Sequence, residues 1–398
     1  MVVALHWPSL GPYHFARLKA VQETAPNGTE VIAIGTAGTV EGRPWDHRAT
    51  GIQTHTIFPD RIYHELRRHE VDQRVSRTLD ELRPDAMAIA GYGMSDSRSA
   101  LRWCTRNQTL RILMSETKRD DSARTWWREL VKRPYVARFD AAICGGTPHA
   151  RYLEELGMER RRIFDKYDVV DNQFFADSVA RLRGAAQTHL PGLESDQPFF
   201  LVVSRLIPRK NVDRLISAYA TYRQRRATGW RLVVLGIGGE LDRLVERVRS
   251  ERIPDVTFAG FHQLNELVVY YSRAATFVHP ALQEQWGLVV NEAMACSLPV
   301  LVSRTVGCAY DLVQDGRNGF LFDPNSVESI ADVLHRMSSL PEPARKTMGD
   351  ASGAIISDWT PRHFAENFWA AVQLGRRRGQ QQRAVLPEVN AALARRAP

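Results

Sequence analysis

Residues 199–211 read FFLVVSRLIPRKN. Five apolar residues in a row, Phe199–Val203, run into a basic turn with a proline, and helical spacing follows over Val212–Arg225. A short continuous apolar run closed by turn residues reads as a buried strand, and a helix behind it makes a βα unit. The alternation continues downstream with strand Arg231–Leu235, helix Leu241–Ser250 and strand Val256–Phe258. It goes on through helix 264–273, strand 276–278, helix 289–296, strand 299–302 and helix 326–338. Upstream the same signals recur as strands at Val2–Leu5, Glu30–Ile34, Ala86–Ala90, Arg111–Met114 and Ala141–Cys144, with helices at Tyr13–Gln22 and 63–82. Such alternation predicts the α/β class, with parallel sheets whose ligand sites lie at the carboxyl ends of the strands.

The pattern breaks once, in the polar stretch RLRGAAQTHLPGLESDQP. Two doubly wound Rossmann-like domains facing a central cleft are therefore expected, as 1–178 and 198–358, joined by a linker over 179–197. Thr360 as N-cap and Pro361 at the first position start a final helix, 359–374, with Phe364, Phe368 and Ala371 on one face. It is expected to pack back on the first domain, and 375–398 to be a basic, frayed tail. A length of 398 residues agrees with two cores, and 44% hydrophobic with 25% charged residues excludes wholesale disorder.

Net charge is +8, but residues 374–398 hold six arginines against one glutamate and so supply +5 of it. The body is not a nucleic-acid binder by composition. Cys104, Cys144, Cys296 and Cys308 lie far apart without metal-ligand spacing, which suits structural thiols in a reducing cytoplasm. No apolar run approaches the roughly 18 residues that span a bilayer. A cytoplasmic enzyme, peripheral at most at the inner face of the membrane, is the expectation.

The stretch EQWGLVVNE, 284–292, sets two carboxylates eight residues apart around Gly287. Over a helix that is about 12 Å, more than the roughly 5–9.5 Å of a carboxylate pair that flanks one glycosidic bond. The spacing suits an extended ligand whose anionic middle lies on helix N-terminal amides. A nucleotide-sugar has that form, and Arg205 and Lys210 in the turn after Phe199–Val203 could meet its diphosphate. Alone, that turn would read as a solvated loop. GIGG at 236–239 lacks the third glycine of a dinucleotide fingerprint, since Leu241 stands there, and nicotinamide binding is not expected.

The second domain resembles the donor-binding half of a family 4, retaining glycosyltransferase of the GT-B fold. The resemblance rests on FLVVSRLIPRKN (200–211), LVVLGIGG (232–239), VTFAGF (256–261), HPALQEQWGLVVNEAMACSLPVLVS (279–303) and DGRNGFLFDP (315–324). It implies that Arg205 and Lys210 contact the diphosphate and Glu284 the sugar hydroxyls. It also implies that the backbone at Gly287, Leu288 and Val289 approaches sugar and phosphate, that Glu292 binds the ribose, and that the Gly236 loop faces the cleft. Gln285 and Trp286 stand where Gly and Phe are usual, which would narrow the sugar pocket. Ser297 replaces a glycine at a helix end that favours positive φ.

The first domain is less similar. Pro8–Pro12 follows the first strand where the family has a glycine-rich loop, and Gly11 is carried over as donor-binding. Glu116 stands where a histidine near the anomeric carbon is usual. It could stabilise charge on the sugar ring or take the acceptor's proton, or instead cap a helix or pair with Lys118 or Arg119. His14 and Tyr92 are candidates for the acceptor side, His14 equally for an ordinary cap. Trp126-Trp127-Arg128 with Lys132, Arg133 and Arg138 could rest on anionic lipid; adjacent side chains diverge by about 100° on a helix, so at least one tryptophan is expected in the core.

The resemblance implies transfer of a hexosyl group from an NDP-sugar, UDP- or GDP-linked, to a glycan, lipid-carrier or small-molecule acceptor with retention of configuration. No cofactor or metal is implied, and no nucleic acid partner. The alternatives are a sugar-nucleotide epimerase, a phosphorylase, or a sugar-nucleotide-binding subunit without catalysis.

Overall fold

A computed structural model of the chain describes residues 1–39, 51–122, 124–184, 197–226 and 228–394, with the side chains of the last helix described as far as Arg378. The chain divides into two compact units, Met1–Gly145 with His149–Tyr167 and Pro361–Pro398, and Gly146–Pro148 with Asp168–Thr360. The second unit thus takes up the chain at Asp168, and Asn172–Gly184 is a helix within it. Phe175 and Val179, four apart and hence on one face, are buried there. Residues 185–196 of the expected linker lie outside the described residues.

The first unit carries strands β1 (Val2–Trp7), β2 (Glu30–Thr39), β3 (Gln53–Ile62), β4 (Ala86–Ala90), β5 (Leu110–Ser115), β6 (Ala141–Cys144) and β7 (Ile163–Phe164). They form one parallel sheet in the order β3-β2-β1-β4-β5-β6-β7. The second unit carries β8 (Phe199–Val203), β9 (Arg231–Leu235), β10 (Val256–Gly260), β11 (Thr276–His279), β12 (Val300–Ser303) and β13 (Gly319–Phe322). These pair in parallel as β10-β9-β8-β11-β12-β13. The central strands are apolar on both faces because helices cover both, as a parallel sheet requires. β3 carried no sequence signal: it is an edge strand and Ile57 is its one buried residue.

The helix from Pro361 belongs to the first unit and packs along Pro12–Glu23. Phe364, Phe368 and Ala371 are fully buried, and the Trp369 indole donates to Thr24 Oγ1 at 3.1 Å. The helix continues to Ala394, through the stretch expected to be frayed. Its many Arg, Gln, Ala and Leu residues are good helix formers.

The tryptophan pair corrects another expectation. Trp126 and Trp127, in the helix Trp126–Val136, are 76% and 51% exposed, so neither is core. The inward face of that helix is taken by Glu129 and Lys132, both hydrogen-bonded to the Tyr152 hydroxyl, and by Val136.

In the second unit Asn211 holds the strand-end loops in register. It adopts the left-handed conformation (φ 60°) between the turn Pro208–Lys210 and the helix Val212–Arg225. Its buried side-chain amide donates to the carbonyls of Pro280 at 3.0 Å and Pro324 at 2.8 Å, tying the loops after β8, β11 and β13 together. Asn211→Ala leaves the Pro280 carbonyl unpaired and Pro324 O with only its bond from Arg214 Nη1, and it puts a Cβ residue without a polar side chain in left-handed space. The expected loss is about 2–4 kcal/mol of unfolding free energy in urea; a loss below about 1 kcal/mol would remove the clamp from the account.

Candidate functional site

In an open parallel sheet, adjacent loops that depart to opposite faces leave a crevice where the strand order reverses. In the second sheet the reversal lies between β8 and β11, so the crevice is bounded by residues 204–211 and 280–287. These are the stretches that carry Arg205, Lys210, Glu284 and Gly287.

The loops there meet backbone to backbone. Ser204 N–H donates to Leu235 O at 2.9 Å, Leu206 N–H to Ile237 O at 2.8 Å, and Gly236 N–H to Gly260 O at 2.7 Å. A Cβ on Gly236 (φ 129°) would stand 1.8 Å from Ser204 O. The glycine is therefore required by the close approach of two chains, whatever else it touches.

Lys210 and Glu284, both largely buried, form a direct ion pair. Arg209 adds a second cation, its Nη1 3.7 Å from Glu284 Oε1 and 3.2 Å from Gln283 O. Under them His279 is fully buried, Nε2 3.6 Å from Glu284 Oε2. Its pKa is driven well below the ordinary histidine value by burial and by the Lys210 and Arg209 charges. Arg205 lies half-buried on the same loop as Lys210.

Gly287 caps the helix Leu288–Ala295 in a left-handed conformation (φ 104°), where a Cβ would meet Val306 Cγ1 at 3.1 Å. Leu288 and Val289 are half-buried at its first turn. Glu292 is fully buried, and Tyr271 donates to its Oε2 at 2.8 Å. A ribose contact there would have to share or displace that hydroxyl.

Trp286 does not narrow a sugar pocket. It is 2% exposed, its Nε1 donates to Asn291 Oδ1 at 2.9 Å, and its ring lies 4.9 Å from that of Trp359. Asn291 in turn donates to Asp168 O at 2.9 Å. The indole is a wedge in the unit's packing, which a larger ring than Phe serves. Gln285 is exposed. Ser297 has the expected positive φ, 55°.

In the first unit the order reverses between β1 and β4, and the loops there carry Gly11 and Tyr92. Gly11 has extended backbone (φ −146°) and a Cβ would meet nothing closer than 3.7 Å, so this glycine is not conformationally required. Its N–H donates to His14 Nδ1 at 2.9 Å, which makes His14 a capping residue, with its ring 4.8 Å from Trp7. Tyr92 is buried, its hydroxyl pKa raised to about 12 by burial and by Glu129. Glu116 is half-buried at the end of β5. Lys118 pairs with Asp120 and Asp121 and Arg119 with Glu155, so neither engages it. No ion pair involves Glu116 among the described residues.

The sequence reading passed over a sealed polar cluster at this edge. His6 Nε2 and Thr36 Oγ1 are 2.9 Å apart, and Asp96 accepts from Thr36 and Tyr63 at 2.9 Å each and from Ser97 N–H at 2.7 Å. Burial lowers the pKa of His6 against the opposing pull of Asp96. Polar residues at the strand ends His6 and Thr36 were the available signal. Arg209 and His279 were also missed, although both lie inside the quoted motifs. Among the described residues no group of three or more His, Cys, Asp or Glu could hold a metal ion.

Residues 189–352 match the family model for glycosyl transferases group 1. A D-inositol 3-phosphate glycosyltransferase of Nocardiopsis dassonvillei is 32% identical over 250 residues, 59% of this chain and 54% of the relative. The chain spans about half or less of the length of the curated relatives it matches. Among solved structures, a sucrose-phosphate synthase from Thermosynechococcus elongatus is similar with TM-score 0.69 and 18% identity, over 98% of this chain and 100% of that one. The Anabaena protein HepE, solved with UDP and glucose, is similar with TM-score 0.67 and 16% identity, over 96% and 100%. These likenesses show the fold: two Rossmann-like parallel-sheet domains, as expected from the alternation.

Two of the buried histidines, His6 and His279, give the fold a pH dependence. Each has a pKa lowered in the fold, so the unfolded chain binds more protons below the ordinary value near 6.5. Stability is therefore complete above that value and is lost as pH falls through it, by at most about 1.4 kcal/mol per pH unit for each histidine. His279→Gln should reduce the slope of unfolding free energy between about pH 6.5 and 5 by about one proton. An identical slope in the variant would show that His279 is not held neutral.

Proposed function

We propose that the chain is a retaining glycosyltransferase that binds a UDP- or GDP-hexose in the second unit and transfers the sugar to an acceptor held by the first. The observation that carries this proposal is the cluster of Arg205, Arg209, Lys210 and Glu284 at the strand-order reversal of the second sheet, beside the Gly287 helix start. The match of residues 189–352 to group 1 glycosyl transferases supports it.

In the reaction the bond from the anomeric carbon to the diphosphate oxygen breaks and a bond to the acceptor oxygen forms. Negative charge develops on the diphosphate, and Arg205 and Lys210 stabilise it as fixed cations. Glu284 receives the sugar hydroxyls; on ligand binding Lys210 exchanges part of its pairing with Glu284 for phosphate oxygens. Backbone amides at Leu288 and Val289 approach the phosphate, and Glu292 takes the ribose once Tyr271 shares it. Glu116, which makes no ion pair among the described residues, is the carboxylate suited to oppose positive charge on the ring or to accept the acceptor's proton.

Arg205→Ala should lower turnover of the donor by about 10²–10³ while the melting temperature stays unchanged. Donor is found first by a thermal-shift screen of UDP-, GDP-, ADP- and dTDP-sugars, and release of the nucleoside diphosphate is then followed with and without acceptor. A normal rate in the variant would remove Arg205 from leaving-group stabilisation. Dependence of turnover on inorganic phosphate, or product without acceptor, would point to a phosphorylase or an epimerase instead.

A further inference from the structure

The helix Trp126–Val136 is amphipathic the wrong way round for a core helix. Trp126, Trp127, Leu130 and Val131 are 76%, 51%, 48% and 57% exposed. At about 100° per residue these four side chains fall in one arc of about 140°, and Pro134, also exposed, falls in its middle. The opposite face holds Glu129 and Lys132, which bond each other and the Tyr152 hydroxyl, and the buried Val136. The polar face thus turns inward with its hydrogen bonds made, and the apolar face turns to solvent.

Basic residues border that apolar arc. Arg128 lies on one flank and Arg133 on the other, both exposed, and Arg124 and Arg138 stand just before and just after the helix. From 124 to 138 there are five basic residues and one acid, and that acid, Glu129, is spent inward on Lys132 and Tyr152. Arg128 also lies over the Trp127 ring, 5.1 Å from its centroid.

We propose that this helix docks the protein on the surface of an anionic lipid bilayer. The two indoles and the Leu130 and Val131 side chains enter the boundary between headgroups and acyl chains, and Arg128, Arg133 and Arg138 meet the lipid phosphates, while Arg124 is turned inward onto the Lys118 and Arg119 carbonyls and the Tyr152 ring. A ring that is apolar in body with one N–H is suited to that depth, and an apolar stripe with basic flanks is the pattern of a helix lying in the interface. Charge decides between a bilayer and a second copy of this chain. Two such faces related by a twofold axis would set arginines against arginines, and the stretch 124–138 holds no carboxylate besides the inward Glu129 to answer them.

The test uses the full chain with vesicles of phosphatidylcholine alone and of phosphatidylcholine mixed with phosphatidylglycerol, and reads co-sedimentation. Binding is expected to the mixed vesicles, to weaken in high salt, and to fall at least about tenfold in Trp126→Ser/Trp127→Ser and in Arg128→Glu/Arg133→Glu. Both variants change exposed residues, and an unchanged melting temperature verifies their fold. Undiminished binding by the tryptophan variant would overturn the proposal, as would absence of binding to the mixed vesicles. A concentration-dependent dimer in sedimentation that disappears in the tryptophan variant, without vesicle binding, would overturn it in favour of contact between copies. No activity enters the readout, so this result and that of the proposed transfer reaction are independent.

Discussion

The Lys210–Glu284 ion pair joins two loops that only the reversal of strand order brings together, and much of the second unit is arranged around it. A buried ion pair is a poor source of stability, since removing both charges from water costs several kcal/mol per ion. Here the surroundings hold the pair in place at further cost. Asn211 spends a left-handed backbone and a buried amide to fix the loop that bears Lys210. His279 is kept neutral beneath it, and Gly236 and Gly287 let backbones approach that no side chain would allow. Such provision is intelligible when Lys210 and Glu284 must remain charged for an incoming ligand with an anionic centre and hydroxyl-bearing ends.

How much of this was legible in the sequence depends on whether a feature is periodic or relational. Strands buried on both faces announce themselves as apolar runs, so β1, β4, β5, β6 and β8 through β12 were readable. The edge strand β3 buries little and was invisible. Glu284 and Glu292 stood out by their spacing, but only Glu292 lies on the helix Leu288–Ala295, and Glu284 precedes its cap Gly287, so helical rise does not set their separation. Asn211 acts by touching Pro280 and Pro324, 69 and 113 positions away, and His279 by lying in the field of Lys210, some seventy positions away, and local pattern carries none of that. Trp286 failed for the same reason: its departure from the usual Phe looked like a change of pocket, whereas its partners Asn291 and Trp359 make it packing.

The tryptophan pair shows a different failure. Inferring burial from residue type assumes that an apolar face has core to meet, and in the helix Trp126–Val136 the inward side is already satisfied by Tyr152 with Glu129 and Lys132. Helical periodicity is correct there, and it is silent about which face turns inward. Only the contacts of the polar face reveal the orientation.

The two sheets treat their reversal points differently. In the second unit the loops at the reversal keep cations and a carboxylate within reach of one another, with Arg209 partly exposed. In the first unit two ionisable groups near the corresponding point, His6 and Asp96, are fully buried and engaged by Thr36, Tyr63 and Ser97. That cluster ties β1, β2 and the helix after β4 together. Whatever the first unit recognises must therefore be read by residues further out on its loops, such as Glu116, whose identities the packing does not constrain. A fixed charged edge in one sheet and an unconstrained rim on the other is the division expected if the second unit binds an invariant diphosphate while the first is free to vary its acceptor.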